Sequence, residues 1–235
     1  MALRRATKIV ATLGPASSDP DMLEQMIRAG VNVVRLNFSH GSAQDHINRA
    51  QLVREAAQRA GREVAIMADL QGPKIRVGKF VDGKVMLKSG AKFVLNANRT
   101  ELGDELEAGL DYKSLPREVK AGDTLLLNDG LIVIIVEAVR GDAVHTTVKI
   151  GGELSNNKGI NKLGGGLTAP ALTAKDMDDI RTAMGFKADY VAVSFPKNAT
   201  DMEMARQLCN VAGTEHSHKP QLIAKIERAE AIPRL

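Results

Sequence analysis

The sequence predicts an α/β protein of parallel strands and crossover helices into which an all-β module is inserted. Three observations lead there. Over the first 70 residues, short apolar runs alternate with helical periodicity in β-α-β-α-β order, the pattern of parallel strands joined by helices. After Gly72-Pro73 the rhythm changes to short strands punctuated by turn residues. From Thr173 the alternation of helix and strand resumes. The boundaries that follow are 1–73 for the first α/β stretch, 74–168 for the β module and 169–235 for the continuation of the α/β domain.

Lys8 to Leu13 reads as a buried first strand. Ser17-Ser18 then caps a helix with Met22, Leu23, Met26 and Ile27 on one face, ended by Gly30. Val31 to Leu36 is the second strand. Ser42 opens a second helix, with Ile47, Ala50, Val53, Ala57 and Ala60 at helical spacing and Gly61 at its end. Val64 to Leu70 is a third strand, apolar until Asp69. In the β module, strands are expected at Ile75 to Phe80, Lys84 to Leu87, Lys92 to Leu95, Thr124 to Leu127, Leu131 to Val136 and Val144 to Ile150. Asp82-Gly83, Asp129-Gly130 and Gly141-Asp142 supply hairpin or tight-turn chemistry between them, and a small barrel or a sandwich would satisfy the set. The module closes on Leu163-Gly164-Gly165-Gly166-Leu167, read as a flexible stretch or hinge. Thr173 with Asp176 caps a helix containing Met177, Ile180 and Met184. Tyr190 to Phe195 is the fourth strand. Thr200 with Glu203 caps a helix bearing Ala205, Leu208, Cys209 and Ala212, Leu222 to Ile226 is the fifth strand, and Arg228 begins another helix.

Composition narrows the function classes. The 235 residues are 44% hydrophobic with mixed charges, which excludes low complexity and disorder. One cysteine, Cys209, allows no disulfide scaffold and favours a reducing, cytoplasmic setting. The longest apolar run, Leu131 to Val136, is far short of the roughly 20 residues of a membrane helix, and Met1-Ala2-Leu3-Arg4-Arg5 has no signal-peptide core. The net charge of +4 is spread along the chain, and only 3% of residues are aromatic. That is a mixed, solvated surface rather than a nucleic-acid footprint.

In a parallel βα array, functional groups gather where strands end and loops begin. Arg35, Asn37 and Ser39 lie at alternate positions at the end of strand two and are expected to point the same way. Asp69 ends strand three, Ser194 ends strand four, and Lys225 and Glu227 end strand five. Arg35 with Asp69, or Lys225 with Glu227, taken singly reads as a structural ion pair. Their coincidence at successive strand ends reads as a site. Cations beside separated carboxylates suit a phosphorylated substrate held through a divalent metal. The other candidates read structurally: Gly164-Gly165-Gly166 has no phosphate-loop spacing, His216-Ser217-His218 is a surface loop without zinc spacing, and Cys209 is a buried, inert thiol.

Six blocks, TKIVATLGP (7–15), VVRLNFSHG (33–41), ADLQGPKIRV (68–77), NNKGIN (156–161), DYVAVSFP (189–196) and AKIERAEA (224–231), resemble successive blocks of the bacterial pyruvate kinase family, in order and along the whole chain. The resemblance implies a TIM (β/α)8 barrel, interrupted after its third strand by a mobile β-barrel lid domain. It also implies transfer of a phosphoryl group from phosphoenolpyruvate to ADP, giving pyruvate and ATP, in glycolysis, with Mg2+ and K+ as cofactors. By that resemblance Arg35 binds the phosphate of phosphoenolpyruvate, and Lys225, with Arg76, is a catalytic cation that offsets charge on the phosphoryl group in flight. Glu227 is a Mg2+ ligand, and Asn37, Ser39, Asp69 and the Leu70 carbonyl form the K+ site. Asn37, Phe38, Ser39 and His40 line the nucleotide phosphates, which Arg76 and Lys158 also contact. A cytoplasmic homotetramer is implied for the full-length enzyme, with no nucleic-acid or membrane partner.

Two departures from the family pattern matter. Potassium-dependent relatives carry Glu and Thr where this chain has Lys74 and Leu70. A fixed ammonium near the cation pocket would replace the charge of K+ and make K+ dispensable. The second is length: a (β/α)8 barrel takes about 250 residues, and the α/β segments hold about 140. An incomplete barrel of about five strands, truncated after strand five and inactive by itself, is therefore expected. The alternatives are a Mg2+-dependent enolate lyase or aldolase of a related barrel, and a non-catalytic nucleotide-binding fragment.

Overall fold

The computed structural model describes residues 6–235, so the stretch Met1 to Arg5 read above lies outside the described residues. In chain order the elements begin with β1 (Val10–Thr12), α1 (Pro20–Ala29), β2 (Val33–Asn37), α2 (Ala43–Ala60) and β3 (Ala65–Asp69). There follow β4 (Lys84–Leu87), β5 (Lys92–Asn96), β6 (Glu107–Gly109), the short α3 (Leu115–Glu118), β7 (Thr124–Leu127), β8 (Ile132–Arg140), β9 (Ala143–Ile150), β10 (Gly152–Ser155) and β11 (Ile160–Lys162). The chain ends with α4 (Ala174–Gly185), β12 (Tyr190–Ser194), α5 (Ala199–Gly213) and β13 (Gln221–Lys225), then a 3-10 helix at Ala229–Arg234. It divides into two compact units, Met1–Pro73 with Pro170–Leu235, and Lys74–Ala169.

The first unit is a parallel five-stranded sheet in the order β1-β2-β3-β12-β13, with α1, α2, α4 and α5 as crossovers. Its core draws Leu23 and Ile27 from α1, Ala50, Val53 and Ala57 from α2, Ile180 and Met184 from α4, and Ala205 and Cys209 from α5. Packed against them are Val34 and Leu36 of β2, Ile66 of β3 and Val191 of β12. These are helical-period and strand residues meeting across one layer boundary, which is why both periodicities were legible. The outer strands differ from expectation. β1 covers three residues rather than Lys8 to Leu13, and Val10 is 54% exposed. In β13 too, most residues are exposed or half-buried. Each is an edge strand, covered on one side only, so apolar composition does not translate into burial.

Helix starts show where local chemistry decides. Ser42 and Thr173 cap α2 and α4 as read, each in a reciprocal box, with Asp45 and Asp176 respectively. For α1 the cap is Asp19, not Ser17-Ser18: its carboxylate accepts from the Asp21 and Met22 amides, and Pro20 needs no partner for a missing N–H. For α5 the cap is Asn198, accepting from the Asp201 amide, not Thr200. In α5 the side chain two residues earlier reaches the first free amides and starts the helix sooner, whereas in α1 the cap falls one residue after Ser18. Arg228 opens a 3-10 helix rather than an α-helix.

The second unit has its own core, built on Phe93, Leu95, Leu125, Leu127, Ile132 and Ile134. Its main sheet runs β11-β7-β8-β9-β5-β6, antiparallel except for β5-β6, beside a two-stranded pair β10-β4. Gly141, at φ +58°, allows the two-residue turn joining β8 to β9. Asp129-Gly130 turns β7 into β8 as read. Asp82-Gly83 makes a tight turn, the Gly83 amide donating to the Phe80 carbonyl at 3.1 Å, but not a hairpin, because β4 pairs with β10. Ile75 to Phe80 forms no strand, only isolated bridges of Arg76 to Gly159, Val77 to Leu110 and Phe80 to Gly103. One extended stretch thereby touches the ends of both β6 and β11, sharing its backbone bonds between two neighbours instead of forming one ladder. The expectation of an all-β module also missed α3, where Pro116 starts a single helical turn.

Candidate active site at the strand ends

Parallel register brings the polar strand ends of the first unit together. Asn37 lies beside Asp69 across β2-β3, Asp69 beside Ala192 across β3-β12, and Ser194 beside Lys225 across β12-β13. The register steps by two residues at β12, from Ala192 to Ser194, and the polar groups at the strand ends are joined through their side chains. Arg35 donates to Thr12 Oγ1 of β1 (3.1 Å) and, through Nε (2.6 Å) and Nη2 (2.5 Å), to Asp69 Oδ2. Lys225 Nζ lies 3.1 Å from Asp69 Oδ1 and 3.5 Å from Glu227 Oε1, and donates to Ser194 Oγ at 2.7 Å. Ser194 in turn donates to the Leu70 carbonyl at 2.7 Å. The two ion pairs expected separately are one network, joined through Asp69.

Asp69 is 2% exposed while Arg35 and Lys225 keep about 30% of their side chains open. The carboxylate therefore sits at the base, and both cations lean over it toward solvent. Two cations above one buried anion attract a further anion such as a phosphate. Asp69 Oδ1 is buried and accepts no hydrogen bond, its neighbour being the Lys225 ammonium.

The turn after β2 departs from the expected alternation. The strand ends at Asn37, so Ser39 does not continue the row; its amide donates to Asn37 Oδ1 at 3.1 Å, and the His40 amide donates to the Asn37 carbonyl at 3.2 Å. Phe38 is 1% exposed and stacks on His46 with ring centroids 3.9 Å apart. A ligand therefore meets Phe38 through its backbone alone. Burial holds the His46 imidazole below the usual histidine range. Leu70 likewise offers only its carbonyl, its side chain being buried. The Glu227 carboxylate accepts from the Phe195 amide at 3.1 Å, where Phe195 adopts φ +60°.

Arg76 and Lys158 belong to the second unit and come together there. The Val77 amide donates to the Lys158 carbonyl at 2.9 Å, and Arg76 donates through Nη1 to the Asn157 carbonyl at 3.0 Å. Asp111 accepts from the Arg76 amide at 2.8 Å, and burial raises its carboxyl above the usual range. Lys74 Nζ lies 3.7 Å from Asp129 Oδ1.

Sequence reasoning left two participants without roles. Thr12 ends β1 as Asp69 ends β3, so applying the strand-end rule to the first strand would have found it. Ser194 was placed at a strand end but not seen as the link between Lys225 and Leu70, because a hydroxyl's partners depend on register.

Among the described residues no group of three or more His, Cys, Asp or Glu is placed to hold a metal ion, and none of the helices is long and apolar enough to cross a membrane. His218 lies in the loop before β13 as read, where its Nε2 lies 2.6 Å from the Ala188 carbonyl. Cys209 is buried, and its thiol is pushed up to about 11 by desolvation. Ellman's reagent at pH 8 is accordingly expected to leave it unlabelled in the native chain and to label it within minutes in guanidinium; rapid native labelling would contradict this packing.

The donor chemistry at the strand ends is hard oxygen. Asp69 Oδ1, Asn37 Oδ1 and the Leu70 carbonyl are one carboxylate and two neutral oxygens, suited to an alkali or alkaline-earth cation rather than zinc or copper. The buried Oδ1 of Asp69, which faces the Lys225 ammonium and accepts no hydrogen bond, is the kind of oxygen such a cation takes. Glu227 supplies a single carboxylate, which fits Mg2+ only where a substrate contributes the remaining oxygens.

A parallel βα sheet with cations gathered over a buried carboxylate at its strand ends defines the class of this chain as an α/β protein with a charged strand-end site. A family model describing the pyruvate kinase barrel domain matches residues 4–235, and the chain belongs to the pyruvate kinase family. It is 55% identical over 229 residues to pyruvate kinase II of Salmonella typhimurium, covering 97% of this chain and 47% of the relative. It is 52% identical over 229 residues to a pyruvate kinase of Haemophilus influenzae, with the same coverage. A pyruvate kinase of Corynebacterium glutamicum is 39% identical over 231 residues, 98% of this chain and 48% of the relative. The chain thus spans about half the length of these relatives.

Proposed function

We propose that this chain carries the phosphate- and cation-binding part of a pyruvate kinase active site, which transfers the phosphoryl group of phosphoenolpyruvate to ADP. The observation that carries the reading is the Arg35–Asp69–Lys225 arrangement, in which one buried carboxylate holds two partly exposed cations in place. Arg35, fixed by Thr12 and Asp69, holds the substrate phosphate through the guanidinium edge it still exposes. Lys225 is positioned by Ser194 and Asp69 to offset charge on the phosphoryl group as it moves. Asn37, Ser39, Asp69 and the Leu70 carbonyl hold the monovalent cation. Glu227 holds Mg2+, which when bound withdraws charge from the phosphoryl and enolate oxygens. Arg76, Lys158 and the Asn37–His40 turn take the nucleotide phosphates. The 74–168 segment is read as the β-barrel lid, and 1–73 with 169–235 as part of a (β/α)8 barrel. The complete enzyme is read as a cytoplasmic homotetramer.

A lactate-dehydrogenase-coupled assay with phosphoenolpyruvate, ADP and Mg2+ tests this on two forms: the 235-residue chain, and the same chain joined to the C-terminal half of the Salmonella relative. In the first unit β1 and β13 are both unpaired edges, so turnover is expected from the extended form and not from the chain alone. An extended protein that folds and shows no turnover would overturn the reading. Because Lys74 and Leu70 stand in the cation-site segment, replacing K+ by tetramethylammonium is expected to leave most of that activity. A collapse to a few per cent would show that Lys74 does not substitute for K+.

A further inference from the structure

The first turn of α4 lies outside the row of strand-end groups, yet it bonds to two of the loops that carry them. Asp176 is fully buried. Its Oδ1 accepts from the Gly72 amide at 3.0 Å, three residues past Asp69, while its Oδ2 closes the helix cap with the Thr173 amide and hydroxyl at 2.8 and 2.7 Å. Its neighbour Lys175 donates through Nζ to the Phe38 carbonyl at 2.8 Å and to Asp179 Oδ2 at 2.6 Å. One helical turn therefore grips the turn after β2 with a cation and the loop after β3 with an anion.

The grip on Gly72 bears on the site because that loop has little slack. Gly72 has φ +63°, and a side chain there would meet Ser194 Cβ at 2.8 Å and the Ser194 carbonyl at 2.9 Å. Ser194 also donates to the Leu70 carbonyl, so the Asp176 bond at Gly72 and the Ser194 bond at Leu70 hold the loop from its two ends. The Phe38 amide donates to the Asp69 carbonyl at 2.9 Å, so a shift at Phe38 is passed to the residue bearing the central carboxylate.

We propose that Lys175 and Asp176 are positioning residues for the reaction: Asp176 sets the Asp69–Leu70 oxygens that hold cation and substrate, and Lys175 sets the Asn37–His40 turn that meets the nucleotide. The inference rests on the functional reading above, and it predicts a split that general damage to the fold would not produce. Supporting groups behind metal and substrate ligands typically change affinity or activity by 10- to 100-fold when removed.

The test uses the extended chain with Asp176→Ala, Lys175→Met and, as a control that weakens the α4 cap but leaves the Gly72 bond, Thr173→Ala. Asp176→Ala is expected to lower kcat and to raise KM for phosphoenolpyruvate about tenfold, because the Asp69 it positions holds both Arg35 and Lys225. Lys175→Met, at a half-exposed side chain, is expected to raise KM for ADP several-fold while leaving KM for phosphoenolpyruvate within about twofold. Thr173→Ala is expected to lose stability and to keep both constants. Amide exchange at Gly72 in the 235-residue chain supplies a readout free of turnover, with acceleration expected in Asp176→Ala and not in Thr173→Ala. Equal kinetic changes in all three variants, or unchanged Gly72 exchange in Asp176→Ala, would overturn the proposal. Absence of turnover in the unsubstituted extended chain would instead count against the functional reading, leaving the Gly72 measurement to decide the grip.

Discussion

Lys225→Ala in the extended chain is expected to lower kcat by about 10²- to 10³-fold, the usual cost of removing one preorganised donor aimed at developing charge. On the proposed reading the effect belongs to kcat, because Arg35 rather than Lys225 is assigned the ground-state hold on the substrate phosphate. KM for phosphoenolpyruvate should therefore change by less than about fivefold. The ammonium is held on three sides, by Ser194 Oγ at 2.7 Å, Asp69 Oδ1 at 3.1 Å and Glu227 Oε1 at 3.5 Å. Lys225→Arg is not expected to rescue, because a planar guanidinium is broader than the ammonium held among these three groups and presents its charge differently. Some loss of stability is expected as well, because the buried Asp69 Oδ1 loses the ammonium beside it, so folding is checked separately by circular dichroism. Steady-state kinetics decide it, and a kcat within threefold of the unsubstituted protein would remove Lys225 from the chemistry.

Asp69→Ala is expected to act on stability as well as on activity. The carboxylate is 2% exposed and is the common partner of Arg35 and Lys225. Without it, two cations face one another across a pocket whose neutral oxygens cannot balance them. Removing one member of a fully buried ion pair costs about 3–5 kcal/mol. Both cations here keep contact with water, which screens the loss, so about 2–3 kcal/mol is the expected size. At a urea dependence of about 2 kcal/mol per molar, the unfolding midpoint of the parallel-sheet unit should fall by about 1 M. Followed by circular dichroism on the 235-residue chain, an unchanged midpoint would show that the network contributes nothing to folding.

Much of the first unit was legible because local and tertiary requirements agree. Gly30 and Gly61 end helices at positive φ, Ser42 and Thr173 begin them, and Leu23, Ala50, Val53 and Ile180 fall where helical spacing puts a core face. Misreadings clustered where two local solutions compete. Asp19 and Asn198 outcompeted the serines and threonines beside them, a choice set by which side chain reaches a free amide. Ile75 to Phe80 has strand composition, but its backbone bonds are divided between residues near 110 and 159. No local pattern reveals a division between two distant partners.

The site followed the same rule. Arg35, Asp69, Lys225 and Glu227 were readable as strand-end residues because parallel strands share one direction, which brings their C-terminal residues to the same end of the sheet. The sequence by itself determined the order of elements, the helix caps at Ser42 and Thr173, and the residues offered to the pocket. Tertiary structure alone decided that one carboxylate serves both cations, that Thr12 and Ser194 join them, and that α4 reaches back to Phe38 and Gly72. The physical reason is range: propensity, capping and periodicity act over a few residues. Hydrogen bonds and ion pairs spanning 23 to 137 residues of chain depend on register and packing, which exist only once the sheet is formed.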